Sequence, residues 1–397
     1  MSRFAAIADL LEKDRKGHTL PRELYVSEEA FHFDTQVMLK SVWLYACTVA
    51  HVKNPGDYFV FELATNSIII VRGRDTQVRA FWNSCRHRGA KICLEQKGHA
   101  PRLMCPYHQW TYGLDGKLLA ARSMAEDFDK AEHGLNQVAL ENVGGLIFIC
   151  MGASPPPISQ VKADISEQIG IYDLDHLKVA VQDNYVEGAN WKLVMENNRE
   201  CYHCDAGHPE LISVLGTTGF GKEAPDDATK QEEWQSLGID HELIEFPDGW
   251  WHRIARLALA NGAVTQSIDG KLACQKLIGP FATPETSSLS VWTQPNSWHH
   301  FCCDHVVTFS LTPIAADKTL LRTSWLVHED AVEGVDYDPH HLAALWRKTN
   351  EQDGRFSEIN HRGISNDGYM QGPYAVEEKL VEDFKDFYVA AAMAALS

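Results

Sequence analysis

The sequence predicts an α+β protein built in two parts, a small all-β domain and a larger domain of helices packed on an antiparallel sheet. Three observations carry that expectation. Short β-type runs punctuated by turn residues fill the stretch 40–153. The run Ser154-Pro155-Pro156-Pro157 is a stiff break that closes it. Beyond the break, helical patterns alternate with apolar strand runs, as expected where helices cover a sheet. A chain of 397 residues is long enough for two cores.

Taken in order, residues 5–16 read as a short helix stopped by Gly17, and 20–25 as extended. Ser27 followed by Glu28 and Glu29 marks a helix start, because a hydroxyl caps free N–H groups and early acids suit the positive end. Phe31, Phe33, Val37, Met38 and Val42 give that helix an apolar face. Strands are expected at 45–50, 58–63, 67–72 and 78–83, separated by Asn54-Pro55-Gly56-Asp57 and Gly73-Arg74-Asp75. Shorter ones at 102–104 and 111–112 lead to a turn at Asp115-Gly116, and the run 143–151 reads as a buried closing strand. After the break come a helix at 158–172, a strand at 178–185 and a helix beginning near Asn190-Trp191. Strands at 308–313 and 320–327 precede Asp338-Pro339, an N-cap with proline at the first helical position, which opens a helix to about residue 361. Val376, Leu380, Val381, Phe384, Phe387 and Tyr388 mark the apolar side of a last helix, read as packing.

Composition narrows the function classes. Hydrophobic residues make up 45% of the chain and the mean hydropathy is −0.27, as in a globular protein. No run is long enough to span a membrane, and the N-terminus lacks a hydrophobic signal core, so a cytoplasmic location is expected. A net charge of −18 with no basic tail argues against nucleic acid as a partner. Ten cysteines in a chain of this length do not form a disulfide framework, and two of them have metal-ligand spacing.

Those two lie in paired hooks. Cys85-Arg86-His87 is a Cys-x-His, and Cys105-Pro106-Tyr107-His108, separated from it by seventeen residues, is a Cys-x-x-His. Thiolate and imidazole together suit zinc or an iron–sulfur cluster. A Rieske [2Fe–2S] centre takes two Cys on one iron and two His on the other, and each hook offers one of each. Glycines follow both hooks, at Gly89 and at Gly113 and Gly116, where they let backbone N–H groups approach cluster sulfurs. The competing reading is a structural Cys2His2 zinc site, which would gather both Cys at one end of a shorter unit and both His at the other.

A second constellation follows about a hundred residues later. Glu200 and His203 are three apart and share a helix face, whereas His203 and His208 are five apart, about 140° round an ideal helix. Both imidazoles can reach one ion only if the helix ends between them, and Gly207 and Pro209 make such an ending available. Two His and a carboxylate form the facial triad of non-heme Fe(II) oxygenases, with open positions for O2. Trp250, Trp251, Trp292 and Trp298 are candidates for lining a substrate pocket, since aromatic faces attract quaternary ammonium groups; the plainer reading makes each a core residue. His299 and His300 read as packing or surface.

The hooks resemble the Rieske box of the Rieske non-heme iron oxygenases, and Glu-x-x-His-x4-His is similar to that family's mononuclear-iron motif. The resemblance covers nearly the whole chain. The segments 199–204, 325–328 through 335–338, and Gly372-Pro373-Tyr374 look most like the branch acting on glycine betaine, stachydrine and carnitine. It implies an oxygenase α subunit divided as 1–39 (helices packing with the catalytic domain), 40–153 (the cluster domain) and 154–397 (the mononuclear-iron domain). It implies Cys85, His87, Cys105 and His108 on a [2Fe–2S] cluster, and His203 and His208 on Fe(II). The third iron ligand is expected at Asp353, inside the long helix, with Asp336, Asp338 and Glu358 as rivals. Glu200 is expected to bridge His108 of one subunit to His203 of the next in a head-to-tail homotrimer. Electrons would come from a separate NAD(P)H-dependent flavin/iron–sulfur reductase, since this chain carries no GxGxxG-type motif after a strand. The implied reaction is O2-dependent N-demethylation of a betaine-type substrate with release of formaldehyde. Alternatives are hydroxylation of a carbon near the ammonium, aromatic ring dioxygenation with the same metals, a Rieske electron carrier with an appended domain, and a zinc-stapled binding protein.

Overall fold

The run Ile68-Ile69-Ile70-Val71 shows how the first part of the chain is layered. Side chains alternate along a strand, so Ile68 and Ile70 point to one face and Ile69 and Val71 to the other. All four are buried. Ile68 and Ile70 join Phe59 and Phe61 in the main core. Ile69 and Val71 join Val60, Phe81 and Tyr112 in a second core that also holds Cys85 and Cys105. A sheet covered on both faces is therefore the support on which the two hooks rest.

The computed structural model describes residues 4–215 and 252–397, with residues 232, 234, 235, 243 and 244 between them. Ten strands make the first part: β1 (Leu44–Thr48), β2 (Asp57–Leu63), β3 (Asn66–Arg72), β4 (Val78–Trp82), β5 (Lys97–His99), β6 (Leu103–Met104), β7 (Thr111–Tyr112), β8 (Leu118–Ala120), β9 (Gln137–Val143) and β10 (Leu146–Cys150). Seven of them form one sheet in the order β1-β10-β9-β4-β3-β2-β5, and β6-β7-β8 form a small sheet beside it. The β9–β10 hairpin turns through Gly144 and Gly145, at φ 58° and 99°, the double positive φ that suits the twist of a two-residue turn.

The second part is built on a six-stranded antiparallel sheet. Its strands are β11 (Leu177–Glu187), β12 (His252–Ala258), β13 (Ser287–Thr293), β14 (Ser297–Phe301), β15 (Val306–Ala315) and β16 (Lys318–His328), in the order β11-β16-β15-β14-β13-β12. The helix Pro339–Ile364 packs beside it, capped by Asp338, whose side chain accepts from the His340 N–H at 3.0 Å. Together with the all-β first part this is the α+β architecture the sequence predicts. Among the described residues, no helix is long and apolar enough to cross a membrane.

The N-terminal helices lie against the second part through buried polar contacts. The Tyr25 hydroxyl donates to Glu196 Oε1 at 2.7 Å. Asp34 accepts from Trp191 Nε1 and from the Tyr388 hydroxyl, each at 2.9 Å, and pairs with Lys192 with no exposure of either charged side chain. Burying an ion pair this completely is tolerable because every oxygen of the carboxylate finds a donor. Residues 20–25 depart from expectation: Arg22–Val26 is helical, not extended. Pro21 precedes its first residue with φ −54°, so the proline initiates a helix here rather than prolonging an extended segment.

Burial pushes the Glu196 carboxyl up to about 7, against the lowering pull of Tyr25 and Lys192. A carboxyl that stays protonated in the fold but ionises when unfolded gives stability that is full below its ordinary value and is lost as the pH rises to about 7. Wild-type protein should therefore lose several degrees of melting temperature between pH 5 and 8, and Glu196→Gln should lose less. Parallel thermal scans across that range check this, and equal slopes would refute it.

Candidate metal centres

The two hooks follow one backbone path. The Cys85 N–H donates to the Ala90 carbonyl at 2.9 Å and the Gly89 N–H to the Cys85 carbonyl at 2.8 Å. The second hook repeats this, from Cys105 to Trp110 at 2.8 Å and from Gln109 to Cys105 at 3.0 Å. In each, the fourth residue after the cysteine takes a left-handed turn, Gly89 at φ 80° and Gln109 at φ 60°. Both sulfurs lie inside and both imidazoles at the surface. The His87 and His108 rings face each other with centroids 4.7 Å apart, and His87 stacks on Trp110 at 4.9 Å. The Tyr112 hydroxyl accepts from the Arg86 N–H at 3.0 Å, which leaves its proton for Cys85 Sγ at 3.3 Å. Burial raises the Cys105 thiol above its ordinary value, so its thiolate calls for a cation beside it. Two inward thiolates and two outward imidazoles match the donor set of [2Fe–2S] ligation, so these four side chains would hold such a cluster.

The second site lies where the helix Trp191–Asn198 has ended, so Glu200 and His203 do not share a helix face as their spacing suggested: the chain leaves the helix at Arg199, and a carboxylate–imidazole contact joins the two instead. A short helical turn Cys204–Gly207 and the helix Pro209–Leu215 flank His208, which has the non-helical angles φ −129°, ψ 63°. Gly207 is required by close approach, since a Cβ there would meet the Phe356 ring at 2.5 Å. The break lets both imidazoles meet the long helix. His203 Nε2 lies 3.0 Å from His208 Nε2, and Asp353 Oδ1 lies 3.3 Å from the first and 2.9 Å from the second. The other ring nitrogens are held from outside: His208 Nδ1 by Gln352 Oε1 at 2.8 Å and His203 Nδ1 by Glu200 Oε1. Gln352 in turn donates to Glu210 at 3.0 Å, and Asn197 donates to Asp353 Oδ1 at 2.7 Å. With protons kept on the Nδ1 side, two Nε2 lone pairs and a carboxylate converge on one point, an arrangement that asks for a cation.

The charges bear this out. Burial alone would lower His203, but Asp353 and Glu200 outweigh it and push the imidazole up to about 9. Burial alone would raise Asp353, but His203 and His208 hold its carboxyl down at about 2. The rival acids are occupied elsewhere. Asp338 caps the long helix, Asp336 accepts from the Val332 N–H at 2.7 Å, and Glu358 accepts from the Gly188 N–H at 3.2 Å.

A cavity of about 20 Å³ opens beside the two imidazoles, walled by His300, Trp346 and Thr349. Of the four tryptophans singled out in the sequence, Trp250 and Trp251 lie outside the described residues. Trp292 and Trp298 pair across β13 and β14, both buried. They share a sheet face with His300, which stacks on Trp346 at 4.6 Å. The two tryptophans thus back the cavity wall, and His300 and Trp346 form it. Sequence reasoning set His300 aside as packing or surface and did not single out Trp346; only the sheet register and the packing of the long helix show where they meet. Cys201 and Cys204, a Cys-x-x-Cys spacing visible in the sequence, form a disulfide around His203.

The fold and the two centres define the class, an oxygenase subunit that carries an iron–sulfur domain beside a mononuclear iron domain. Residues 42–139 match the Rieske [2Fe-2S] domain family, and residues 174–394 match the ring hydroxylating alpha subunit (catalytic domain). The chain belongs to the Rieske-type ring-hydroxylating oxygenases, oxidoreductases that use a [2Fe–2S] cluster and non-heme iron. It is 40% identical over 392 residues to the glycine betaine monooxygenase oxygenase subunit of Chromohalobacter salexigens, covering 96% of this chain and 88% of that one. The quaternary ammonium Rieske monooxygenase CntA in complex with its substrate gamma-butyrobetaine superposes with a TM-score of 0.71 at 22% identity, over 96% of this chain and 97% of that one. Naphthalene 1,2-dioxygenase from Rhodococcus sp. bound to indole gives 0.61 at 18%, over 98% of both chains. At these identities the two structures share the fold.

Two substitutions probe the centres separately. Tyr112→Phe removes the hydroxyl beside Cys85 Sγ, which favours the more negative reduced cluster. The cluster potential should fall by about 40 mV, the equivalent of about 1 kcal/mol for one electron; redox titration of the visible spectrum reads it. Gln352→Ala frees His208 Nδ1 and should weaken mononuclear iron binding about 10–100-fold without altering the cluster spectrum. Iron titration with a competing chelator measures that loss.

Proposed function

We propose that this protein is the oxygenase component that removes an N-methyl group from a betaine-type quaternary ammonium compound and releases it as formaldehyde. The observation that carries the reading is the 40% identity, along 96% of the chain, to a glycine betaine monooxygenase oxygenase subunit. In it, Cys85, Cys105, His87 and His108 hold the cluster, and His203, His208 and Asp353 hold the iron. Bound there, the two groups would supply O2 activation, with electrons delivered singly from the cluster. One oxygen atom enters an N-methyl C–H bond and the other leaves as water, taking two electrons and two protons. The resulting N-hydroxymethyl ammonium loses formaldehyde and a proton to leave the tertiary amine.

The chain's own residues support that chemistry in named ways. Trp346, stacked on His300 at the wall of the cavity beside the iron ligands, is an aromatic side chain of the kind that attracts a cationic head, and the carboxylates Asp353 and Glu200 lie in the same lining. Burial, reinforced by His305, lowers His300 to about 3, so the ring stays neutral next to a cation. Glu200 holds His203 Nδ1 and the backbone N–H of His203, and Tyr202 beside it is 65% exposed. On this reading Glu200 bridges His203 to a neighbouring subunit's His108 within a homotrimer in the cytoplasm. A separate NAD(P)H-dependent flavin/iron–sulfur reductase charges the clusters. The division 1–39, 40–153 and 154–397 belongs to the same reading.

Iron-loaded protein should be given a matched reductase, NADH and O2 with glycine betaine, stachydrine, carnitine and an aromatic acid in turn. Formaldehyde in step with loss of one betaine is the expected result. A hydroxylated betaine without formaldehyde would move the reaction to a carbon near the ammonium. Turnover of the aromatic acid alone would replace the reading by ring dioxygenation, the chemistry suggested by the shared fold of naphthalene dioxygenase.

A further inference from the structure

Eight of the ten cysteines are free and buried, and the remaining pair, Cys201 and Cys204, is joined with Cα atoms 4.9 Å apart. That pair brackets His203 and begins one residue after Glu200. Cys204 is 3% exposed, while Cys201 is half-buried and next to the exposed Tyr202. A second, independent observation joins it: His203, Cys204 and His208 each offer a ligand atom, and these atoms all lie within 4.8 Å of one another. The sulfur of Cys204 therefore belongs to the same donor cluster as the two imidazoles.

The oxidation state of that sulfur decides what it can do. In a disulfide it has no thiolate and is a poor ligand, so the ion sees two imidazoles and a carboxylate, a set that leaves positions open. As a thiol that can lose its proton, it is a soft donor, and it would add a sulfur to the two imidazole nitrogens, a donor mix of the kind that suits zinc. Cys-x-x-Cys spacing favours a thiolate on one of its sulfurs, and the half-buried Cys201 gives a reductant a point of entry.

We propose that Cys201 and Cys204 form a reversible dithiol–disulfide switch on the mononuclear metal site. Closed, it leaves His203, His208 and Asp353 as an open three-donor face; opened, it offers the Cys204 thiolate to the same ion. The inference rests on the reading of those three residues as the iron ligands. Reduction begins at the more accessible Cys201: an external dithiol attacks its sulfur, the S–S bond breaks, and Cys204 leaves as the thiolate. A second attack by the dithiol releases Cys201, so two electrons and two protons are transferred and the reductant ends as a disulfide. Hydrogen peroxide reverses the change, its O–O bond breaking to give two waters as the S–S bond forms.

The test uses the full chain with its cluster and with Co(II) as the probe in the mononuclear site. Alkylation and mass analysis of the peptide holding residues 201–204 follow the pair under dithiothreitol and under hydrogen peroxide. Sulfur-to-cobalt charge-transfer absorption, read against cobalt-free protein treated alike, follows the ligand. In wild type the band should be absent in the oxidised protein and present in the reduced one. Cys201→Ala, which cannot close, should show it both before and after dithiothreitol, and Cys204→Ala in neither case. Cobalt bound without the band in both reduced wild type and Cys201→Ala overturns the switch, as does a peptide inert to both reagents. Undiminished cobalt binding by His203→Ala overturns the ligand reading itself, and the switch with it. Should Cys204→Ala fail to fold, wild type and Cys201→Ala decide the matter.

Discussion

The constraint on which the rest depends is the meeting of two imidazole nitrogens and a carboxylate oxygen at one point. Two imidazole nitrogens 3.0 Å apart, with a carboxylate oxygen 2.9 Å from one of them, would be an unfavourable arrangement without a positive charge between them. The chain meets this by controlling where the protons sit. Glu200 and Gln352 take the outer ring nitrogens, so the inner ones are left as lone pairs. Asn197 fixes Asp353 from the side. Each of these contacts is made by a residue on the same short segments that carry the ligands, so the geometry of the site is set by local turns and by one long helix.

The long helix is in turn held by what surrounds it. Its start is capped by Asp338, and Asn350, three residues before Asp353, donates to Thr323 of β16 at 2.9 Å. The helix that precedes the His203 turn is anchored by the Asp34–Lys192 pair with Trp191 and Tyr388, and by Tyr25 on Glu196. Buried polar groups like these specify one arrangement more than they add stability, because any other packing leaves a charge without a partner. The N-terminal helices thus act on the site at a distance, by fixing the helix from which His203 follows.

The hooks depend on a different support. Their loops are nearly self-contained, each closed by two backbone hydrogen bonds and a left-handed turn. What they need from the fold is a firm floor, which the doubly covered sheet provides through Val60, Ile69, Val71 and Phe81. Exposed imidazoles over buried sulfurs then follow from the loops themselves. The Cys/His hooks are therefore a surface feature of the first part, while the His203–His208–Asp353 cluster lies within the second, walled by side chains from a sheet strand and a helix.

Legibility in the sequence follows the range of the interactions. The hooks could be read directly, because Cys-x-His and Cys-x-x-His are local spacings whose chemistry needs no distant partner. The break between His203 and His208 could be read from Gly207 and Pro209 for the same reason. The helix at Arg22–Val26 was misread because Pro21 serves equally in an extended segment and at a helix start, and the packing around it chooses. By itself, then, the sequence determined the α+β class, the donor types and their spacing. Only the tertiary structure decided that Asp353, rather than three other acids, meets the imidazoles, and that His300 and Trp346 wall the cavity. Those outcomes rest on helix-to-sheet packing and strand register across more than a hundred residues, for which no short spacing in the chain stands as a sign.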